Sequence, residues 1–257
     1  MKIVIIGSGN LATNISLALR EASLTPSQIF SKTIAHAKEL ANKIGCTCTD
    51  KYEDVITDAD IYIISVKDDA IESVVKSLVK GREQAVFAHT AGSVSIDVFQ
   101  GYTNNGGVLY PMQSFTKGIT VNFKEIPCFI EAVSPHAKEV ITEIANKISN
   151  RVVEINSEQR KKMHLAAVFA SNLTNHCYRL AEQITEAEHL DFSLFGPLIM
   201  ETAKKATRIS PRLAQTGPMV RNDQEVMKRQ LELIDSPLTK EIYQLMAKSI
   251  LKDSSVR

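Results

Sequence analysis

The sequence lacks the features that mark membrane-spanning, nucleic-acid-binding and secreted proteins. No run of about 18 apolar residues occurs in its 257 residues, so no membrane-spanning helix is expected. Its 30 basic and 29 acidic side chains leave a formal charge of +1, which gives no broad attraction to nucleic acid or to an anionic membrane. The opening residues have the pattern of a strand and not of a signal peptide. We therefore expect a cytoplasmic protein.

Cysteine is scarce, which argues against a metal centre and a disulfide framework. The four cysteines are Cys46, Cys48, Cys128 and Cys177, and only the first two are close in sequence. A C-x-C pair without a second Cys or His pair at ligand spacing is a poor zinc site. We expect free thiols and no bound metal.

Glycine is scarce in the second half of the chain, which indicates two domains. Nine of the eleven glycines lie before residue 120. In that half, apolar runs alternate with helical patterns, as in a doubly wound parallel sheet. The expected strands cover 2–6, 28–30, 61–66, 85–88, 107–110, 127–131 and 152–155. The sequence thus predicts an α/β Rossmann-type doubly wound parallel sheet at residues 1–153, followed by an all-α helical domain at residues 154–257.

The helical half has clear start signals. No Gly or Pro occurs at residues 157–195. One long helix is therefore predicted, from a capping box formed by Asn156 and Gln159 to His189. Further helix starts are predicted at Asp191, at Asn222 paired with Glu225, and at Ser236 before Pro237.

A nucleotide-binding pattern opens the chain. The stretch "MKIVIIGSGNLA" has a β-branched strand, then G-x-G-x-x-A, then helical spacing, which is the context that a dinucleotide fingerprint requires. Gly7 permits the tight turn, Gly9 leaves room for a pyrophosphate, and Ala12 allows close packing of helix and strand. The predicted contacts are Gly7, Ser8, Gly9, Asn10 and Leu11. A purely structural strand-to-helix turn is the alternative.

The second strand is not followed by the acidic residue that an NAD-selective protein uses to hold the ribose 2′-hydroxyl. Ser31, Lys32 and Thr33 stand there instead. Two hydroxyls and an ammonium suit a 2′-phosphate, so the predicted cofactor is NADP. The alternative is that Lys32 is an ordinary solvated residue.

Two further strand ends should border the cofactor, since ligands in such sheets bind beyond the carboxyl ends of the strands. They are "ISVKDDAI" and "AHTAGSVS". Ser65, Val66 and Lys67 are predicted beneath the nicotinamide ribose. His89, Thr90 and Ser93 are predicted to face the ring and substrate, although His89 has an equal alternative as a strand-end histidine satisfied by backbone groups.

Taken together, several segments resemble the Rossmann-like plus DUF2520 proteins, relatives of pyrroline-5-carboxylate reductase and the 6-phosphogluconate dehydrogenase group. They are "IVIIGSGNLA", "SKT", "SVKDDAI", "HTAGS", "YPMQSF", "HLAAVFASN" and "TGPMVRND". The resemblance implies a nucleotide domain, a helical domain and NADP-dependent oxidoreductase activity, without a substrate. In the related β-hydroxyacid dehydrogenases a lysine and an asparagine four residues later face the substrate. Here Leu165 and Ala166 stand four residues after Lys161 and Lys162, so that catalytic lysine is not carried over.

The long helix offers other protic groups. His164, Ser171 and Asn175 fall on one stripe at 100° per residue, with Asn172 beside it. His164 is the predicted proton donor, because histidine titrates nearest neutral pH, and Asn172 is predicted to orient substrate or carboxamide. Tyr110, at another strand end, is the competing donor. A buried hydrogen-bonding stripe or a dimer interface is the alternative.

Two functions fit these residues. The first is an NADP-dependent reductase of a small carbonyl or imine substrate, and the second is a non-catalytic NADP(H)-binding sensor. The number of protic groups, with Ser93 among them, favours the reductase. A homodimer is expected, because the long helix of related reductases packs against a partner and Met163, Ala167 and Ala170 widen its apolar stripe.

Overall fold

The computed structural model describes residues 1–255 and contains an eight-stranded sheet. In chain order the strands are β1 (Ile3–Ile6), β2 (Gln28–Phe30), β3 (Thr47–Thr49), β4 (Ile61–Ile64), β5 (Val86–His89), β6 (Gly106–Pro111), β7 (Cys128–Ala132) and β8 (Val152–Glu154). Their order across the sheet is β3-β2-β1-β4-β5-β6-β7-β8. The predicted Rossmann-type sheet is confirmed, with the short edge strand β3 added.

Ten α-helices surround or follow the sheet in the described residues. They are α1 (Asn10–Glu21), α2 (Ile34–Ile44), α3 (Ile71–Leu78), α4 (Pro135–Ile148), α5 (Ser157–Ala167), α6 (Thr174–Ala187), α7 (Gly196–Arg208), α8 (Pro211–Ala214), α9 (Gln224–Glu232) and α10 (Pro237–Ser254). A π-helical segment, Val168–Leu173, separates α5 from α6.

Strands β7 and β8 run against the other six, because β6 pairs with β7 in antiparallel register and β7 pairs with β8 in parallel register. A parallel neighbour needs a long crossover, usually through a helix, whereas an antiparallel one can return directly. The segment between β6 and β7 holds no α-helix, only a 3-10 turn at Phe123–Glu125. The sheet is therefore mostly, and not wholly, parallel.

Helices cover both faces of the sheet. On one face α1, α2 and α4 contribute Ile15, Leu40 and Ile141 to a buried core, and on the other α3 contributes Val74. Strands β1 and β4 are completely buried between these layers. That double burial is the physical reason for the unbroken apolar run at the start of the chain.

The sheet order creates a switch point between β1 and β4. From β1, the chain passes first to β2 on one side and later to β4 on the other. The turns after β1, β2, β4 and β5 leave the sheet at the same edge, because these strands are parallel. This edge is where doubly wound sheets bind ligands.

The described chain divides into two compact units, Met1–Ser171 and the helices from Asn172 onward. Helix α5 belongs to the first unit. In the second unit the Tyr243 hydroxyl donates a hydrogen bond of 2.6 Å to Gln230 Oε1, joining α10 to α9. The domain boundary predicted after residue 153 stays a prediction. No helix within residues 1–255 has the length and apolarity needed to cross a bilayer.

Most of the predicted helix starts are correct. Asn156 and Gln159 form the capping box of α5, and Ser236 caps α10 with Pro237 in its first turn. Helix α9 differs, because Asp223 and not Asn222 is its cap. The Asp223 side chain accepts a hydrogen bond from the Val226 amide at 3.1 Å, and Asn222 has a left-handed φ of 54°. The capping pattern was therefore placed one residue early.

The long helix forms, but its interior is not regular. The π-helical turns at Val168–Leu173 change the rotation per residue, so a spacing of 100° does not hold across them. The predicted stripe of His164, Ser171 and Asn175 assumed that spacing throughout. It is therefore not a straight stripe in the structure.

Candidate functional site

A cleft of about 600 Å³ lies at the carboxyl edge of the sheet within the first unit. Most of the predicted site residues line it. They are Gly7, Ser8, Gly9, Asn10, Leu11, Ser31, Lys32, Ser65, Val66, Lys67, Thr90, Tyr110 and His164. The structure thus brings together, from five strand ends and from helices α1 and α5, residues that are far apart in sequence.

The glycine turn has the form that a pyrophosphate requires. Gly7 has φ of 124°, and a β-carbon there would lie 2.0 Å from the Ser65 carbonyl oxygen, so no other residue allows β1 and β4 to approach this closely. A β-carbon on Gly9 would meet no atom within 4 Å, which leaves that position open. No side chain caps the first turn of α1. Its amide groups can therefore face an anion.

The far end of the cleft combines hydroxyl groups, an ammonium and an aromatic wall. The Ser8 hydroxyl donates a hydrogen bond of 2.8 Å to Ser31 Oγ, and Lys32 beside it is exposed. The rings of Phe30 and Tyr52 stack with centroids 4.5 Å apart and line the cleft. This donor set fits the phosphate-bearing ribose of NADP.

A tyrosine and a histidine meet at the other end of the cleft. The Tyr110 hydroxyl lies 3.0 Å from Nδ1 of His164, and the two rings pack edge to face with centroids 5.8 Å apart. Tyr110 is 7% exposed. Burial raises its pKa, the Arg160 charge opposes that shift and the Asp68 charge adds to it. The net shift of the Tyr110 pKa is upward, away from neutral pH.

His164 has its position because the backbone opposite it lacks a side chain. A β-carbon on Gly92 would lie 2.6 Å from His164 Nδ1 and 2.7 Å from Cγ. Such distances are shorter than any van der Waals contact. Gly92 therefore makes the space in which the imidazole reaches Tyr110.

A buried ion pair fixes α5 to the sheet. The Arg160 guanidinium, one turn before His164, pairs with Glu131 on β7 and donates to the Val94 carbonyl. Glu131 also accepts hydrogen bonds from the Ser157 amide and hydroxyl, at 2.9 and 2.8 Å. These bonds set the rotation of α5, and with it the direction of His164.

The remaining predicted site residues do not line the cleft. His89 is fully buried, stacks on Phe99 and accepts a hydrogen bond from the Ala91 amide at 3.2 Å through Nδ1. The backbone thus satisfies Nδ1 only, because the buried Nε2 has no hydrogen-bond partner. Burial together with the Arg160 charge lowers the pKa of His89 to about 3. A neutral, enclosed imidazole cannot face nicotinamide or substrate.

Three others lie at or beyond the cleft margin. Thr33 occupies the cap position of α2, and its hydroxyl makes no capping hydrogen bond. Ser93 is exposed and donates to Asp68, which does line the cleft. Asn172 is exposed in the second unit.

Sequence reasoning missed Asp68, Gly92, Arg160 and Glu131 as site residues. Asp68 and Gly92 were inside the motifs "SVKDDAI" and "HTAGS", yet neither motif reveals what its residues contact. A stronger signal was present for the ion pair. Glu131 interrupts an apolar strand and Arg160 precedes His164 by one helical turn, and a charged residue in a buried strand needs a partner.

Comparisons with known proteins show the family to which the chain belongs. Residues 2–92 match the family model described as NADP oxidoreductase coenzyme F420-dependent, and residues 126–250 match a domain of unknown function, DUF2520. A protein of Bacteroides fragilis, described as a "putative NADP oxidoreductase", is 43% identical over 98% of both chains, with a TM-score of 0.92. None of the curated proteins compared with the chain matches it.

More distant structures share the fold alone. An imine reductase from Myxococcus stipitatus, in complex with NADP+, is 16% identical over 98% of this chain and 92% of its own, with a TM-score of 0.67. A pyrroline-5-carboxylate reductase from Coxiella burnetii is 16% identical over 99% and 97%, with a TM-score of 0.58.

The fold and the site define an NADP-dependent oxidoreductase with a Rossmann-type domain. The chain belongs to the family of the Bacteroides fragilis protein, in which an NADP oxidoreductase domain is combined with DUF2520. The predicted family, enzyme class and cofactor are confirmed at this level. The family and the cofactor do not identify the substrate.

Proposed function

We propose that the protein uses NADPH to reduce the C=N or C=O bond of a small substrate in the cleft. The 3.0 Å contact between the Tyr110 hydroxyl and His164 Nδ1 carries this proposal, because it puts a proton donor in the same cleft as the glycine turn. A sensor that only binds the cofactor has no use for such a pair. The fold that the chain shares with an imine reductase is consistent with this chemistry.

The cofactor contacts follow from the cleft lining. Residues Gly7 to Leu11 would hold the pyrophosphate, and Ser65 to Lys67 with Thr90 the nicotinamide ribose. Ser31 and Lys32 would hold the 2′-phosphate, with Thr33 at the margin of the cleft as a further proposed contact. When bound, NADPH supplies a hydride. The chain itself binds and orients the reactants and provides the proton.

Tyr110 and His164 supply that proton as a unit. The Tyr110 hydroxyl gives its proton to the substrate nitrogen or oxygen as the π electrons move onto that atom. His164 returns a proton to the phenol oxygen through Nδ1, the ring atom that faces the hydroxyl. Burial raises the pKa of Tyr110, which makes the phenol a weaker acid, so the return of a proton from His164 is needed to offset the cost of leaving a buried phenolate. Asn172 remains a predicted orienting group for substrate or carboxamide.

The direct test is a screen of small imines, aldehydes and ketones, in which the decrease in NADPH absorbance reports the reaction. We expect turnover of at least one compound, and a decrease in kcat of about 10² to 10⁴ in Tyr110→Phe with little change in NADPH affinity. Full activity in Tyr110→Phe would exclude it as the donor. If no compound reacts while NADPH binding alters an association with another protein, the sensor is the correct function.

We also propose that the protein is a cytoplasmic homodimer. In the second unit Leu194, Leu198, Leu213 and Leu233 are each more than 60% exposed, and water contact with that much apolar surface favours association. The free cysteines suit a reducing compartment. Light scattering at micromolar concentration tests the dimer, and cell fractionation tests the location.

A further inference from the structure

Asp68 is the one carboxylate among the described residues that line the cleft. It begins the 3-10 turn Asp68–Ala70, which follows β4, and its Oδ2 accepts a hydrogen bond from the Ser93 hydroxyl. Ser93 directly follows Gly92, which packs against His164. The carboxylate is therefore held at the same end of the cleft as the Tyr110–His164 pair.

The charge of Asp68 is not cancelled by another side chain. Within residues 1–255 no Lys, Arg or His forms an ion pair with it. Its partner Ser93 is neutral, and a hydroxyl can orient a carboxylate without neutralising it. Lys67 lines the same cleft but forms no ion pair with Asp68, so the oriented carboxylate is available to a cation from outside.

The charges near the proton donor agree with this placement. After burial, the groups that act on the pKa of Tyr110 are Arg160, which lowers it, and Asp68, which raises it. Arg160 is 0% exposed and already paired with Glu131. Of the two charged groups that act on Tyr110, Asp68 is thus the one that a substrate in the cleft can contact.

We propose that Asp68, oriented by Ser93, selects substrates that carry a positive charge on the reacting nitrogen, that is protonated imines, over neutral ketones. This inference rests on the proposed reductase function and names its substrate class. Asp68 is exposed to the cleft, so a cationic nitrogen near Tyr110 gains an opposite charge there, whereas a neutral ketone gains none.

The step balances for such a substrate. The imine carbon accepts the hydride that the cofactor supplies, and the electrons of the C=N π bond become the nitrogen lone pair. The proton on nitrogen stays in place, so a neutral amine and the oxidised cofactor result. For an unprotonated imine, Tyr110 first donates that proton, and Asp68 then stabilises the cation that has formed.

The experiment compares Asp68→Asn with the matched variant Asp69→Asn, because both carboxylates are exposed and only that of Asp68 lines the cleft. The probes are a small cyclic imine, its N-methyl iminium salt, which cannot lose its charge, and the cyclic ketone of the same ring. We expect Asp68→Asn to lower kcat/KM for both nitrogen compounds by about 10-fold or more, mainly through KM. Ketone turnover and NADPH affinity should stay within about twofold of the parent, and the melting temperature should be unchanged. Asp69→Asn should match the parent in all of these measurements.

Three results would overturn the inference. They are an equal loss on ketone and iminium, a loss of NADPH affinity, which would make Asp68 a cofactor contact, and parent enzyme that prefers the ketone. If the parent reduces neither these probes nor any compound of the wider screen, the proposed function fails. Cation selection is then measured by binding and not by turnover. In that case the cyclic ammonium product should bind the complex with NADP+ more weakly in Asp68→Asn than in the parent, and equal binding rejects the inference.

Discussion

Gly92 and His164 are in such close contact that a single methyl group between them would displace the imidazole. A β-carbon on Gly92 would lie 2.6 Å from His164 Nδ1, the atom that faces the Tyr110 hydroxyl. The position of a proposed catalytic group thus depends on the absence of a side chain in a different loop.

The Gly92→Ala variant should therefore lose activity without losing its cofactor. The added methyl group pushes His164 away from Tyr110, and a displacement of about 1 Å in a positioned group can lower the rate about 10²-fold. Overpacking should reduce the free energy of unfolding by about 1 to 3 kcal/mol. Steady-state kinetics, NADPH titration and urea unfolding measure the three quantities.

Gly196→Ala is the matched control for that variant. A β-carbon at Gly196 meets no atom within 4 Å, and the residue begins α7 with a helical φ of −49°. Its activity should equal that of the parent. If Gly92→Ala also keeps full turnover, His164 does not need the position that the structure gives it.

Tyr110 and His164 should behave as one functional unit. We expect Tyr110→Phe and His164→Gln each to lower kcat, and the double variant to be hardly slower than the worse single variant, because either change interrupts the same proton transfer. A double-mutant cycle on kcat measures this coupling. Additive losses would mean that the two residues act on different steps.

Lys32 should determine the choice between NADPH and NADH. Its ammonium lies beside Ser31 at the end of the cleft where the 2′-phosphate is proposed. Lys32→Ala should weaken NADPH binding by about 10-fold, typical of a lost charge-assisted contact, and leave NADH binding unchanged. Fluorescence titration with both nucleotides checks this, with Lys38→Ala, an exposed residue of α2, as the control. Equal weakening for both nucleotides would contradict the assignment.

Removing one partner of the Arg160–Glu131 pair should lower the stability of the folded protein. Arg160 is fully buried and the Glu131 side chain is 15% exposed, so Arg160→Met leaves a carboxylate enclosed without its cation. We expect a loss of about 3 to 5 kcal/mol in the free energy of unfolding, measured by urea titration. The double variant Arg160→Met with Glu131→Gln should recover part of that loss. No recovery would mean that packing of Arg160, and not its charge, holds α5.

His89 should make stability depend on pH. Its pKa falls from 6.5 to about 3 on folding, because burial and Arg160 disfavour the imidazolium. The unfolded chain therefore binds a proton that the folded chain excludes, so this stabilisation is complete above pH 6.5 and decreases as pH falls toward 3. The expected slope is up to about 1.4 kcal/mol per pH unit.

The variant His89→Asn isolates that slope. Its Oδ1 can accept the Ala91 amide hydrogen bond that Nδ1 accepts in the parent, but the side chain does not titrate. The difference in free energy of unfolding between parent and variant should change with pH across that window. A constant difference would show that His89 stays protonated in the folded protein.

Much of the nucleotide half follows from local sequence. The β-branched run before Gly7 predicts a strand buried on both faces, and G-x-G-x-x-A after it predicts the turn and α1. The capping box at Asn156 predicts the start of α5. These features depend on residues within one or two turns of each other, and short-range hydrophobic and hydrogen-bonding patterns are what a sequence states directly.

The catalytic end of the cleft was decided by tertiary structure. Sequence reasoning selected His164 and Tyr110 as competing donors, and only the packing of α5 against the sheet joins them as a hydrogen-bonded pair. From sequence, His89 could either face the cofactor or be enclosed at the end of its strand. In the structure it is buried and stacks on Phe99. Contacts between residues 54 or 66 positions apart depend on the rotation of α5 and on the space at Gly92, which no local pattern encodes.

The sequence by itself thus determined the first strands of the sheet, the glycine turn and the absence of a carboxylate after β2, because each is a property of a short segment. The reversed direction of β7 and β8 was decided by tertiary structure. The tertiary structure alone decided the direction of His164, the orientation of Asp68 by Ser93 and the burial of Arg160 with Glu131. Each of these requires side chains from separate elements to meet. Their distances are set by how the helices pack on the sheet and not by spacing along the chain.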